Sequence, residues 1–157
     1  MKLYLAWQKS VPLRDGSKKN LIYYVEPERI PKAVGVYVFG RRRRNGGFEA
    51  LYVGKANNIR GRVWGHRNNL PLMMHLKNAR HGAIVVRTAI FKARPGQNPE
   101  KCLKIIERAL IRHFLSEGDD LVNKQGTRLR RHEILSVGKH PKRFVPRLMF
   151  VDRTRGE

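Results

Sequence analysis

The chain has 157 residues, 41% of them apolar, with 34 Lys and Arg against 12 Asp and Glu, a formal net charge of +22. That apolar content supports one folded domain, and the charge draws it to polyanions, nucleic acid foremost, because docked cations release counterions from a polyphosphate. Cys102 is the only cysteine, which excludes an internal disulfide framework and a multi-cysteine zinc site, and no apolar run is long enough to span a bilayer.

Leu3–Trp7 reads as a short strand, although its apolar part is too short for a signal peptide, so a cytoplasmic location is expected. Asp15-Gly16 marks a turn and residues 21–25 a second strand, which Pro27 and Pro31 keep from continuing. Residues 33–39 and 48–53 read as strands. Asn45-Gly46 between them favours a hairpin, so the two should pair antiparallel with Arg41, Arg42, Arg43 and Arg44 near the tip. Asn57 or Asn58 caps a helix to about Leu70, and Pro71 opens a second helix to about Arg80. Residues 83–91 form another strand. Asn98-Pro99-Glu100 starts a long helix ending near Gly118, because it combines a cap, a first-turn proline and an acid at the positive helix end. From Thr127 the chain is basic and irregular, with a last strand at 145–151. The expected fold class is α+β: a small, mainly antiparallel or mixed sheet flanked by helices.

Three groups of residues carry candidate chemistry. Ile59, Val63 and Leu70 form the apolar stripe of the first helix; Arg62 and His66, four apart, border it. An arginine held there suits a phosphate, the alternative being one that packs its stem and leaves its head in water. Leu103, Ile106, Leu110 and Phe114 make the buried stripe of the long helix, and Glu107 falls on nearly the same face. A carboxylate in that position is either ion-paired with an arginine, which so basic a chain favours, or bound to a divalent cation. Gly35-Val36-Tyr37 and Tyr52-Val53-Gly54 lie on the paired strands. Glycine inside a strand marks close approach of another chain or a ligand, and Gly54-Lys55 feeds a helix start that favours an anion.

The run Gly35-Val36-Tyr37, then Tyr52-Val53-Gly54-Lys55 through Arg62, resembles the signature of the GIY-YIG endonuclease family. Arg62 stands ten residues after the second tyrosine and His66 four later, as the family pattern has them. Glu107 in Ile-Glu-Arg-Ala matches its metal-binding glutamate, and Asn123 its later asparagine. The resemblance covers about 33–126. It implies a single domain over 1–157 with that nuclease core, an N-terminal strand extension at 1–32 and a basic extension at 127–157.

The resemblance also implies an activity: metal-dependent hydrolysis of DNA phosphodiester bonds to 5′-phosphate and 3′-hydroxyl ends. In it Tyr52, supported by Lys55, deprotonates the attacking water, and Arg62 neutralises the phosphate. Glu107 holds one Mg²⁺ or Mn²⁺, Tyr37 and His66 surround the nucleophile, and Asn123 orients the site. Fourteen residues, 38–51, separate the tyrosines, longer than the family gap; the excess is the arginine hairpin. Arg41–Arg44, Arg60, Arg67, Arg128, Arg130, Arg131 and the stretch 139–147 are the expected backbone contacts, which position DNA without reading its sequence. A non-catalytic nucleic-acid binder and an accessory subunit of a larger nuclease are the alternatives. The DNA structure recognised and the oligomeric state are open.

Overall fold

The computed structural model describes residues 1–79, 81–122, 131–139, 145 and 147–152. Two units divide it, Met1–Lys124 and Gln125–Glu157.

In the first unit, four short strands lead: β1 (Leu5–Trp7), β2 (Val11–Pro12), β3 (Arg14–Asp15) and β4 (Tyr23–Tyr24). The hairpin is next, β5 (Gly35–Arg42) and β6 (Phe48–Ala56), closed by Arg43–Gly47 with Gly46 at φ 82°. After it come α1 (Ile59–Gly65), a single 3₁₀ turn at His66–Asn68, α2 (Leu70–Asn78), β7 (Ala83–Phe91) and α3 (Pro99–Ser116). The main sheet runs β1-β7-β5-β6, with β2 also on β7, and all its pairings are antiparallel. The α+β class with a mainly antiparallel sheet is therefore the observed one. β3 and β4 pair separately.

Both faces of the sheet are covered, which is why β5 is apolar and buried from Gly35 to Gly40. Tyr37, Phe39 and Val86 turn to α1 and α2, meeting Ile59, Val63, Leu72 and Leu76. Val36, Val38, Val53, Ala89 and Phe91 turn the other way, to Cys102, Leu103, Ile106 and Ile111 of α3. A bulge interrupts the β5–β6 register: Phe39 faces Tyr52, but Gly40 faces Ala50. The extra residue, Leu51, joins the α1/α2 core, whereas Ala50 and Val53 both pack on the α3 side.

The first helix is shorter than expected. It stops at Gly65, and the chain restarts at Asn69, whose side chain accepts the Leu72 N–H and caps α2, with Pro71 in the first turn. Leu70 therefore leaves the apolar stripe and is 62% exposed. In α3 the buried residues are Cys102, Leu103, Ile106 and Ile111, with Leu110 and Phe114 at the margin of the core. Asparagine caps all three helices through Asn58, Asn69 and Asn98; each such cap contributes about 1 kcal/mol.

The second unit holds an antiparallel pair, β8 (Arg131–Leu135) and β9 (Leu148–Asp152). The expected irregular stretch after Thr127 thus contains a strand. Cross-strand pairing makes it, and the charged residues Arg131, His132 and Glu133 hide it from propensity. No helix among the described residues is long and apolar enough to cross a membrane.

Candidate active site

β5 and β6 bring the two tyrosines together because Tyr37 pairs with Gly54 and Phe39 with Tyr52, all on the α1/α2 face. The rings of Tyr37 and Tyr52 stack at 6.1 Å between centroids. His66, entering from the end of α1, packs edge-on against Tyr52 at 5.1 Å. Its Nε2 lies 2.6 Å from the Tyr37 hydroxyl oxygen. Tyr37 is 1% exposed and His66 8%, while Tyr52 is half-buried. Of the three, Tyr52 is the ring with an open side.

The glycines of the two tripeptides serve this packing rather than a ligand. A methyl at Gly54 would overlap the Tyr37 ring and hydroxyl; one at Gly35 would strike the Ala89 carbonyl of β7. Likewise the start of α1 is already capped, since Asn58 takes the Gly61 N–H.

Arg62 connects the tyrosine cluster to the far helix. It lies on the exposed side of α1, and its charge acts on Tyr37, His66 and Glu107 alike. Burial pushes the Tyr37 phenol well above its ordinary range, a nearby Tyr52 adding to the effect and Arg62 opposing it. Burial, then the Arg62 charge, lowers His66 to about 4. At neutral pH, Tyr37 is therefore a phenol and His66 a neutral imidazole.

Glu107 reaches the same neighbourhood from the opposite face of the sheet. β6 is the edge strand, so helices from both faces can meet beyond it. Burial raises the Glu107 carboxyl, against the pull of Lys55 and Arg62. Among the described residues, neither the Glu107 carboxylate nor the Arg62 guanidinium forms an ion pair. The ion-paired alternative for Glu107 is not displayed among the described residues. Arg62 lines a cleft of about 540 Å³, together with Lys55, Asn57, Asn58, Glu100 and Leu103; Glu107 is not among its walls. Glu107 stands one turn beyond Leu103 on α3.

A half-buried carboxylate without an ion pair among the described residues suits a hard cation, which would restore the charge balance that burial removes. No group of three or more His, Cys, Asp or Glu side chains able to hold a metal occurs among the described residues. A Mg²⁺ or Mn²⁺ at Glu107 would thus complete its shell with water and substrate oxygens.

The expected DNA contacts fare unequally. Arg41 and Arg43 both pair with Glu49, and the Arg41 side chain is only 18% exposed. Arg42 donates to the Ser10 hydroxyl. Arg60 donates to the Ile30 carbonyl at 2.8 Å, and Arg67 lies 4.0 Å over the Trp64 ring. Arg44 is exposed, with no such tie among the described residues. Arg41 and Arg43 thus hold the hairpin together, because Glu49 sits between them on the next strand. Asn123, Arg128, Arg130 and most of the 139–147 stretch lie outside the described residues, as does the Arg131 side chain.

Sequence reasoning passed over two residues. Glu49, an acid in a basic hairpin, pairs with two of its arginines. Asn69, signalled only by the Asn-Leu-Pro cap pattern, turns its amide nitrogen toward His66 Nδ1 at 3.3 Å. No family model, curated protein or solved structure matches the chain.

Proposed function

We propose that the chain is a divalent-cation-dependent nuclease of the GIY-YIG type, hydrolysing phosphodiester bonds in DNA to 5′-phosphate and 3′-hydroxyl ends. The observation that carries the reading is the position of Arg62: one guanidinium acts on the Tyr37–His66 pair and on the carboxylate of Glu107, from the other side of the sheet.

Each group has a task that its surroundings favour. Arg62, exposed and without an ion pair among the described residues, binds a nonbridging phosphate oxygen and meets the charge that builds there during attack. Lys55 adds a second cation on the cleft wall. Tyr52, whose ring has the open side, gives its own proton to solvent and then, as the phenolate, accepts the proton of the attacking water. Tyr37 stays protonated and donates a hydrogen bond, and neutral His66 holds that hydroxyl from behind. His66 reaches the water only through Tyr37, so it orients rather than exchanges protons with solvent. Glu107 supplies the carboxylate for the cation. A bound Mg²⁺ or Mn²⁺ supplies charge neutralisation at the scissile phosphate and its leaving oxygen. Arg44 and other exposed cations hold the DNA backbone without reading sequence.

The test is incubation of the purified chain with plasmid, duplex, single-stranded, branched and flapped DNA, with Mg²⁺, Mn²⁺ or chelator, and mapping of the product ends. Cleavage that needs metal and leaves 5′-phosphates supports the reading. Tight DNA binding without cleavage on any substrate would replace it with a non-catalytic binder.

A further inference from the structure

The protonation pattern around Tyr37 is set from outside the catalytic cluster, by the cap of α2. Asn69 Oδ1 accepts the Leu72 N–H at 3.2 Å. That bond fixes which end of the amide points where: reversing it would set an NH₂ group against the Leu72 N–H. The amide nitrogen therefore faces His66 Nδ1, 3.3 Å away. An amide nitrogen can only donate, so Nδ1 carries the lone pair. A neutral imidazole holds one proton, which then sits on Nε2. Nε2 in turn faces the Tyr37 oxygen at 2.6 Å. Two protons cannot share that line. Nε2–H donates to the Tyr37 oxygen, and the Tyr37 hydroxyl proton must turn elsewhere, toward the side where Tyr52 lies.

We propose that Asn69 is a positioning residue, whose amide holds His66 in the Nε2–H tautomer and so aims the Tyr37 hydroxyl proton into the site. Four donors point one way: Leu72 N–H to Asn69, Asn69 to His66, His66 to Tyr37, Tyr37 into the site. Under the opposite tautomer Nε2 would accept the Tyr37 proton, and the site would face a phenol oxygen with only lone pairs. A donor there stabilises negative charge on a neighbouring oxygen; an acceptor repels it. The catalytic consequence rests on the nuclease reading, whereas the tautomer does not.

The test separates the two. Long-range ¹H–¹⁵N NMR of the ¹⁵N-histidine-labelled full chain at pH 7 assigns the His66 tautomer. Asn69→Asp keeps an oxygen for the Leu72 N–H but presents an acceptor to Nδ1; Asn69→Ser keeps a capping oxygen and withdraws the amide nitrogen from Nδ1. Expected are an Nε2–H imidazole in the parent, an Nδ1 proton in Asn69→Asp and a tautomer mixture in Asn69→Ser. The melting temperature of Asn69→Ser should stay close to the parent's, and DNA cleavage by Asn69→Asp should fall on the order of tenfold to a hundredfold, the range for loss of an orienting partner. An Nδ1–H imidazole in the parent overturns the proposal even if neither variant folds, and so does an unchanged tautomer in both variants. A parent that never cleaves DNA leaves the NMR outcome intact and refutes only the nuclease reading.

Discussion

Acidification offers a quantitative probe of the buried histidine. His66 titrates near 4 in the fold against an ordinary value of 6.5. Above the ordinary value neither state is protonated, and the group has no effect on stability. Below it the unfolded chain binds a proton that the folded chain refuses, so stability falls as the pH drops and the loss is complete near 4. At 1.36 kcal/mol per unit the full loss is about 3 kcal/mol. Other groups also titrate in this window, so the comparison is with His66→Gln, whose amide can still donate to the Tyr37 oxygen but does not titrate. Urea unfolding of both proteins at pH 7, 5.5 and 4 should give curves that converge or cross as the pH falls, the parent losing about 3 kcal/mol more. Parallel losses in the two proteins would mean that His66 is solvated and protonates freely, and the geometry around Tyr37 would have to be redrawn.

Other substitutions probe the contacts around the same site. Gly54→Ala forces its methyl into the Tyr37 ring; it should destabilise the fold by about 1–3 kcal/mol, the usual overpacking cost, and a calorimetric melt unchanged from the parent would refute the close approach. Glu107→Gln removes a carboxylate that burial disfavours in its charged form; in metal-free buffer at pH 7 the variant should melt at or above the parent's temperature, and a clear drop would reveal an ion pair at that position. In the hairpin, Arg41→Ala should destabilise the fold by breaking a partly buried pair with Glu49, whereas Arg44→Ala should leave the melt unchanged and lower the salt slope of DNA binding by about one; equal stability losses would remove that distinction.

Much of the architecture is legible in the sequence, for reasons specific to each element. β5, β6 and β7 announce themselves because burial on both faces demands strands that are mostly apolar and β-branched or aromatic, as in 36–39, 50–53 and 84–86. α3 does so through Asn98-Pro99-Glu100, a start signal that tertiary packing has no reason to override. The length of α1 is not legible: Ile59, Val63 and Leu70 keep a helical period, yet Gly65 and the Asn69 cap divide them. Nor is the β5–β6 bulge, since nothing in Ala50-Leu51-Tyr52 marks where the register slips.

The candidate site divides along similar lines. The types and spacings of Tyr37, Tyr52, Arg62, His66 and Glu107 single them out; the fold packs Tyr37, Tyr52 and His66 together and sets Arg62 on α1 and Glu107 on α3. The arginine hairpin misleads, because charge counting cannot see that Glu49 crosses to Arg41 and Arg43. Asn69 is invisible as a functional residue for a different reason. A cap signal accounts for its oxygen completely, and only the three-dimensional placement of His66 gives its nitrogen a partner.

Whether Glu107 and Arg62 serve one hydrolytic centre across the β6 edge is decided by plasmid cleavage with the parent and with Glu107→Gln, the fold of each verified by its melt. The parent should cut in Mg²⁺ or Mn²⁺ and stop with chelator, while the folded glutamine variant should not cut. Cleavage by Glu107→Gln at the parent's rate would take the metal, and with it the shared centre, away from that carboxylate.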